Sequence, residues 1–326
     1  MESNNHPLVS FCIPTYNRAT YLEATLQSYV SCVSFDNRVE VIISDNHSTD
    51  RTQLIGEKYA KKYPNIRYFR NEENINDANF PLVLDRANGE YLKLMNDNIH
   101  ITKEGLSSFI SFIEKMKKKR IPVFCCVKYF NHKKNDVIDC KTADEFAIFA
   151  SRSCTAISMF GAWKEDWEKV VEPLKYSKLR LSQVDWCYQI LNLKKQAKLY
   201  TLPISTKKID IGMKRGGYNW FEVQVKNYYL ILQTYVDKGL ISNKAIQKEK
   251  TTCLLNIMPW IAVRYWLPMY YEWQFEWKGA TKNLWNAFKE NPIFYMVMST
   301  IPIWANYYYL KYHIRQIMIK LGKNVR

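Results

Sequence analysis

The sequence predicts an α/β fold, with a mostly parallel sheet flanked by helices and a C-terminal helical extension rich in aromatic and basic residues. From Leu8 to Met95, short apolar runs alternate with apolar residues at helical spacing, which is the pattern of strand–helix–strand units. Successive runs end in clusters of Asn, Asp, Ser and Thr, and parallel strands bring such ends to one edge of a sheet. After Gly217 the composition shifts to helical spacing dense in Tyr, Trp and Lys. These observations divide the chain into an N-terminal domain, 1–215, and a C-terminal helical region, 216–326.

The composition allows a complete hydrophobic core and points to a polyanionic neighbour. The chain has 326 residues, of which 47% are hydrophobic, so it can hold one large domain or a domain with an appendage. Its formal net charge is +16, which calls for nucleic acid, acidic lipid or a phosphorylated substrate. The basic residues are dispersed and show neither zinc-finger spacing nor an Arg-rich arm. We therefore expect no nucleic-acid partner.

The cysteines and the N-terminus favour a cytoplasmic location. The eight cysteines have no framework spacing and lie mostly in apolar contexts, as is typical of reduced core residues. The segment Met1–His6 carries neither the basic region nor the apolar region of a signal peptide.

The elements of the first hundred residues follow in a regular order of strand and helix. The first apolar run ends at Pro14, and Leu22, Leu26 and either Tyr29 or Val30 then recur at helical spacing. Asp50 or Thr49 follows the second run and can cap the next helix. The predicted strands are Leu8–Ile13, Val39–Ile43, Ile66–Phe69 and Tyr91–Met95, and the predicted helices pass through Leu22–Val30, Leu54–Tyr59 and Phe80–Ala87.

The pattern beyond residue 100 is less regular. A helix is predicted from Ile101 to Lys119, and another begins near Ser182. The remaining predictions are a strand over Pro122–Val127, a polar loop or hairpin over Asn131–Cys140, a strand over Lys198–Ile204, and amphipathic helices over Tyr218–Tyr235 and Lys244–Ile257.

The fourth strand stops abruptly in the polar turn Asn96-Asp97-Asn98. In open α/β sheets, ligands bind at the carboxyl ends of the strands. Carboxylate and amide oxygens at that point suit a hard divalent cation such as Mg²⁺ or Mn²⁺. The alternative is a turn without a ligand, because Asn and Asp are common in turns.

Five motifs follow one another along the first two thirds of the chain. They are Val9–Asn17 at the first strand, Val41–Asp50 at the second, Gly89-Glu90-Tyr91, the turn Asn96-Asp97-Asn98, and an acidic helix start at Asp185. In this order the motifs make the chain resemble an inverting GT-A glycosyltransferase of family 2. The resemblance implies a Rossmann-like GT-A fold and transfer of a sugar from a nucleotide-diphosphate donor.

The resemblance assigns a nucleotide-sugar site to the strand ends. It implies that the turn after the first strand lines the nucleotide pocket, that Asp45 accepts hydrogen bonds from the base or ribose, and that the loop before the third helix adds contacts. Each segment also has an ordinary role as a turn or a helix cap. The implied residues are Pro14, Thr15, Tyr16, Asn17, Asp45, Asp77, Asn79, Asn96 and Asp97.

The metal motif departs from the family pattern. Relatives usually present Asp-x-Asp or Asp-Asp, whereas Asp97 here stands between Asn96 and Asn98. A neutral amide oxygen binds Mg²⁺ or Mn²⁺ less tightly than a carboxylate does. We therefore expect Asp97 to hold the metal weakly unless the donor diphosphate is present.

Inversion at the anomeric carbon needs one general base for the acceptor hydroxyl. The resemblance implies Asp185 as that base, with an ordinary first-turn helix carboxylate as the alternative. Trp163, Trp167 and Trp186 are either a stacking wall for an acceptor sugar or core residues.

The C-terminal region favours a membrane surface. Its helices combine Trp and Tyr with Lys and Arg, a composition that suits the interface of anionic membranes. Pro292–Leu310 is apolar and nearly long enough to span a bilayer, and its two prolines and its polar residues favour a surface or re-entrant element. The alternative is a helical homo-oligomerisation domain.

Together these features predict a transferase for surface polysaccharide on the inner face of the cell membrane. The resemblance implies a saccharide acceptor carried on polyprenyl diphosphate. The first alternative is a nucleotide-sugar or glycan-binding protein on a transferase fold that has lost its activity. The second is a basic nucleic-acid binder, which would bind duplex in a salt-sensitive way.

Overall fold

A computed structural model of the chain describes residues 6–126, 137–201, 204–205, 215–266 and 273–321. The chain divides into two compact units, Met1–Asp210 and Ile211–Arg326. The boundary predicted at residue 215 follows a stretch, 206–214, that lies outside the described residues.

The first unit alternates strands and helices, as the apolar pattern predicts. Its strands are β1 Val9–Thr15, β2 Val39–Asp45, β3 Ile66–Arg70, β4 Tyr91–Leu94, β5 His100–Ile101, β6 Val123–Cys126, β7 Val137–Cys140, β8 Gly161–Trp163, β9 Ala197–Thr201 and β10 Ile204–Ser205. Its α-helices are α1 Ala19–Val30, α2 Thr52–Lys62, α3 Asn79–Asp85, α4 Lys103–Lys117, α5 Ala143–Ala150, α6 Lys164–Trp167 and α7 Ser182–Lys194. Short 3-10 helices lie at Asn76–Ala78, Ser151–Thr155, Ile157–Met159 and Ser177–Leu179.

The central sheet has five strands in the order β3-β2-β1-β4-β8. The first four are parallel, and β8 is antiparallel to β4. Every residue of β1, β2 and β4 is buried, as continuous apolar strands are when helices cover both faces. A smaller sheet has the order β6-β9-β7, and β10 pairs with β5.

The chain reverses its strand order at β1, which has β2 on one side and β4 on the other. In such sheets the crevice at the reversal point is the usual ligand site. Gly89 leads into β4 where the chain lies against β1, and an added Cβ would lie 2.4 Å from Oγ of Ser10. A side chain at this position would therefore push β4 away from β1.

The predictions for the cysteines, for the polar segment 131–140 and for the last strand can be compared with the structure. The cysteines whose side chains are described are all free and buried: Cys12, Cys32, Cys125, Cys140, Cys154, Cys187 and Cys253. In the polar segment predicted as a loop or hairpin, residues 131–136 lie outside the described residues, and Val137–Cys140 is a strand paired with β9. The last predicted strand is present as β9 and β10, with 202–203 outside the described residues.

The second unit is mostly helical but contains two strands that the helical pattern did not predict. Arg215–Asn219 forms β11 and pairs in parallel with β12, Trp273–Glu276. The helix predicted from Tyr218 is wrong at its start, because Tyr218 lies in β11, and a π-helical turn, Glu222–Asn227, precedes α8. The helices are α8 Tyr228–Asp237, α9 Asn243–Trp266, α10 Ala280–Phe288 and α11 Pro292–Lys320.

The segment predicted as a surface or re-entrant element is the first part of α11. This helix is continuous through Pro302. Within the described ranges, none of the helices has the length and apolar character needed to cross a bilayer.

Candidate functional site

The site begins where β1 and β4 end side by side. The Asp97 carboxylate follows β4 and accepts a hydrogen bond from Oγ1 of Thr15 at 2.8 Å. Its other oxygen accepts from Nε of Arg18 at 2.7 Å. Its backbone carbonyl accepts from Oγ1 of Thr25 at 2.7 Å. The end of β4 is therefore fixed to the loop after β1 and to α1.

Burial and charge act on Asp97 in opposite directions. The residue is 5% exposed, and this burial raises the pKa of its carboxyl above the usual range, while Arg18 and Thr15 oppose the rise. A buried carboxylate without a partner is costly, and the Arg18 guanidinium stabilises the ionised form of Asp97.

The turn after β4 has the oxygens that a hard cation prefers but does not present them as a formed metal site. Asn96 is half-buried and Asn98 is exposed on either side of Asp97. Within the part of the chain that the structure describes, no three His, Cys, Asp or Glu side chains cluster as metal ligands. The oxygen donors fit Mg²⁺ or Mn²⁺ by chemistry. Both Asp97 carboxylate oxygens, however, already accept hydrogen bonds from Thr15 and Arg18.

The turn after β1 joins the turn after β2. Asn17 has a left-handed backbone, with φ of 52°, and its side-chain oxygen accepts from the backbone N–H of Thr49 at 2.7 Å. Its own N–H donates to Oγ of Ser48 at 2.8 Å. Pro14 is buried at the end of β1, whereas Tyr16 is 43% exposed. Of the four predicted residues in this turn, Tyr16 has the side chain most available to a ligand.

Asp45 lies at the end of β2, directly beside Thr15 in the sheet register. It is fully buried. One carboxylate oxygen accepts from the N–H of Ser48 at 2.9 Å and from its hydroxyl at 2.5 Å. The other accepts from the Tyr68 hydroxyl at 2.6 Å. The carboxylate thus organises the loop after β2, in addition to any contact with a nucleotide.

The loop before α3 places its two predicted residues differently. The Asn79 side chain is buried, accepts from Oγ of Ser44 at 2.5 Å and donates to the Ser44 carbonyl at 2.9 Å. Asp77 is half-buried, and burial raises the pKa of its carboxyl while the charge of Arg180 opposes the rise. Arg180 lies just before α7, so its charge acts on Asp77 from the segment that leads to Asp185.

Asp185 lies in the first turn of α7 and is 4% exposed. One carboxylate oxygen accepts from Nε2 of Gln189, one turn later, at 2.7 Å. The ring of the adjacent Trp186 packs edge-on against Phe160 at 5.2 Å, and the Phe160 carbonyl accepts from the N–H of Leu94 in β4. The helix that carries Asp185 is therefore packed on the segment that pairs with β4.

The three tryptophans considered as a stacking wall are core residues. Trp163 and Trp186 are fully buried and Trp167 is nearly so. Their indole N–H groups donate to the Ile121 carbonyl, to the Pro173 carbonyl and to Asp85, respectively. Buried indoles with satisfied N–H groups stabilise the fold. Of the two roles considered for these tryptophans, the structure therefore supports core packing.

The sequence did not single out Arg18, Tyr68 or Lys93. Arg18 directly follows the Pro-Thr-Tyr-Asn turn, and this position is the signal that could have identified it. Tyr68 reaches Asp45 from the neighbouring strand, which is visible only once the register is known. Lys93 is fully buried in β4, and its ammonium group donates to the carbonyls of Leu94, Ser158 and Phe160.

A family model matches the N-terminal part of the first unit. Residues 10–141 match the model of glycosyl transferase family 2. The abequosyltransferase RfbV of Salmonella typhimurium is 37% identical over 109 residues, which are 33% of each chain. A GalNAc(5)-diNAcBac-PP-undecaprenol beta-1,3-glucosyltransferase of Campylobacter jejuni is 30% identical over 109 residues, 32% of this chain and 34% of that one. The chain thus matches about a third of the length of these curated relatives.

Solved structures agree on the fold. S. aureus TarS 1-349 in complex with UDP-GlcNAc superposes with a TM-score of 0.54 and 16% identity, over 98% of this chain and 93% of that one. The mannosyltransferase PcManGT from Pyrobaculum calidifontis, in complex with GDP-Man and Mn²⁺, gives a TM-score of 0.51 and 14% identity, over 92% and 84% of the two chains. The predicted GT-A fold is confirmed, and the predicted resemblance to glycosyl transferase family 2 is confirmed over residues 10–141.

Proposed function

Because residues 10–141 match the model of glycosyl transferase family 2, we propose that the chain is an inverting glycosyltransferase. It moves a sugar from a nucleotide-diphosphate donor to a saccharide acceptor during surface polysaccharide biosynthesis. The observation that carries the proposal is the grouping of Thr15, Asp45 and Asp97 at adjacent strand ends where the strand order reverses. This is the position at which such sheets bind ligands.

The donor nucleotide binds along the ends of β1 and β2. The exposed ring of Tyr16 is available to pack against a base, and Thr15 and Asp45 position the nucleotide at the sheet edge. Asp77 contributes from the loop before α3. Asn17 and Asn79 hold the loops in place through their hydrogen bonds, and Pro14 is buried at the end of β1. Solved complexes with UDP-GlcNAc and with GDP-Man in structures of the same fold support a nucleotide-sugar donor.

Asp97, helped by Asn96, would hold Mn²⁺ or Mg²⁺ together with the donor diphosphate. When bound, the ion would stabilise the charge of the leaving diphosphate. Asp97 brings one buried carboxylate, so the diphosphate oxygens must complete the set of ligands. The Mn²⁺ in the complex of PcManGT with GDP-Man supports a divalent metal here.

Asp185 is the general base. Its carboxylate accepts the proton of the acceptor hydroxyl as the acceptor oxygen forms a bond to the anomeric carbon. The bond from that carbon to the diphosphate oxygen breaks on the opposite face, and the nucleotide diphosphate leaves with the electron pair. Gln189 donates to Asp185 at 2.7 Å and so orients the carboxylate.

The acceptor is a saccharide carried on polyprenyl diphosphate, and the protein lies on the inner face of the cell membrane. The undecaprenol-linked substrate in the name of the Campylobacter jejuni relative supports this acceptor class. The exposed apolar side chains of α11 support a membrane surface, and a homo-oligomer interface is the other role for that helix.

Asp185→Asn tests the proposed base. The substitution keeps the side-chain shape but removes the proton acceptor, so transfer should fall by about 10²-fold or more, while nucleotide binding measured by calorimetry stays at the wild-type level. Transfer and donor hydrolysis would be measured across a panel of nucleotide sugars, with and without Mn²⁺. Wild-type transfer by the Asn variant would refute the assignment.

Glu104→Gln is the matched control. Glu104 is an exposed carboxylate in the first turn of α4, so it shares with Asp185 the interaction with a helix N-terminus but not the site. Its substitution should leave transfer unchanged.

Nucleotide binding without transfer or hydrolysis by the wild type would favour the non-catalytic alternative.

A further inference from the structure

Arg18 forms an ion pair with Asp97, the carboxylate that is proposed above as the metal ligand. Its Nε donates to Asp97 at 2.7 Å, and its guanidinium carbon lies 4.4 Å from the centre of the Tyr21 ring. The Arg18 side chain is 28% exposed, whereas that of Asp97 is 7% exposed. The guanidinium therefore lies between the buried carboxylate and solvent.

This arrangement limits how a second cation reaches Asp97. Thr15 occupies one carboxylate oxygen and Arg18 the other. A divalent ion that binds Asp97 places two positive charges beside a guanidinium within hydrogen-bonding distance of the same carboxylate, which is strongly unfavourable. Arg18 must therefore leave Asp97 before a metal can bind there.

We propose that Arg18 is the resident counterion of Asp97 and competes with divalent metal for that carboxylate. The donor relieves the competition, because its diphosphate offers the released guanidinium a bidentate anionic partner. Metal and donor therefore enter the site together, and the metal alone binds weakly. The donor part rests on the proposed function, whereas the competition concerns only Arg18, Asp97 and the metal.

Arg18→Gln tests the competition with Mn²⁺ as the sole ligand. Free Mn²⁺ would be measured by electron paramagnetic resonance in titrations of the wild type and the variant at pH 8, without nucleotide. The variant should bind Mn²⁺ at least about tenfold more tightly, because it lacks the positive charge of Arg18 beside the Asp97 carboxylate. A charge at this distance typically changes the cation affinity of a carboxylate by an order of magnitude or more. Arg18→Lys keeps the charge and should remain close to the wild type.

Two further variants make the result specific to this site. Arg67→Gln removes a guanidinium from Glu40, a pair with a similar distance, 2.9 Å, and similar exposures, 35% and 4%. It should not increase Mn²⁺ affinity. The double variant Arg18→Gln, Asp97→Asn should lose the gain that Arg18→Gln alone produces.

An Mn²⁺ affinity in Arg18→Gln equal to or below that of the wild type, in a variant with wild-type circular dichroism, would overturn the proposal. So would an equal gain in Arg67→Gln, or a gain that survives the loss of Asp97. The proposed function fails separately: if Arg18→Gln gains Mn²⁺ affinity but no nucleotide sugar binds to the wild type, the competition holds and the transferase assignment does not.

Discussion

At the scale of single residues, the Asp45 carboxylate has two roles that compete for its oxygens. It was predicted as a nucleotide contact, and the structure gives it three hydrogen bonds from Ser48 and Tyr68. Burial and the hydrogen bond to Asp45 raise the pKa of the Tyr68 hydroxyl well above its usual range, so Tyr68 is protonated and donates to Asp45.

Asp45→Ala should destabilise the protein strongly. The substitution leaves the Ser48 N–H and the Tyr68 hydroxyl without their acceptor, and each unsatisfied buried donor costs about 1–3 kcal/mol, so a loss of about 2–4 kcal/mol is expected. Asp45→Asn should lose less, because its amide can still accept from Ser48 and donate to the Tyr68 oxygen. Urea unfolding of both variants would measure the difference.

Asp36→Ala serves as the control for this prediction, since that carboxylate is 39% exposed and pairs with an exposed arginine. Its stability should change little. If Asp45→Ala unfolds at the wild-type urea concentration, the carboxylate does not organise its loop, and its role is confined to the ligand.

The sequence could predict which polar residues gather at the sheet edge but not how their hydrogen bonds are distributed. Thr15, Asp45 and Asp97 lie where the ends of the apolar runs placed them. Their partners Arg18 and Tyr68 depend on side-chain directions and on strand register. Apolar spacing carries no information on either.

At the scale of elements, periodicity succeeded where a segment buries one continuous apolar face. It predicted β1–β4 and α1–α4 in the right order, with differences of a few residues at their ends. It failed at Tyr218–Asn219, where β11 pairs in parallel with β12, more than fifty residues later in the sequence. Aromatic residues fit both strands and helices, and tertiary pairing decides between them.

Glu90 shows how β4 is joined to α4. Its carboxylate pairs with Lys117, the last residue of α4, at 2.5 Å. It also pairs at 2.9 Å with Arg120, which follows the helix. Burial raises the pKa of Glu90, but these two partners outweigh it and hold the pKa below its ordinary value of 4.5. The pair therefore stabilises the fold above pH 4.5, and this contribution is lost as the pH falls through the lowered pKa.

Glu90→Gln should therefore destabilise the protein at pH 7 by about 1 kcal/mol or less, since Lys117 is half exposed and solvent screens the pair. Urea unfolding at pH 7 and at successively lower pH would measure the change, which should decrease as the pH falls through the lowered pKa of Glu90. Glu114→Gln, from a pair in which both side chains are 44% exposed, should have a smaller effect. A loss for Glu90→Gln that is independent of pH would contradict the ion-pair explanation.

At the scale of the whole molecule, charge and exposed apolar surface coincide in the last helix. The sequence of α11 has three Lys and Arg residues, Lys311, Arg315 and Lys320, and no acidic one. The α11 side chains of Ile303 and Leu310 are 69% and 60% exposed. The sequence alone shows this composition, but it does not show which side chains face solvent. Their exposure depends on how α11 packs on α9, for example through Val297 and Ile301 in the core of the second unit.

If α11 lies on an anionic membrane, the wild-type protein should sediment with vesicles of phosphatidylcholine and phosphatidylglycerol and much less with phosphatidylcholine alone. The double variant Ile303→Ser, Leu310→Ser should reduce vesicle binding at least about tenfold, because burying one such side chain contributes about 1.5–3 kcal/mol. Leu54→Ser, at a position 65% exposed on α2 in the first unit, should bind as the wild type does. A wild-type protein that ignores anionic vesicles but changes from oligomer to monomer in the double variant would show that this face of α11 joins subunits instead.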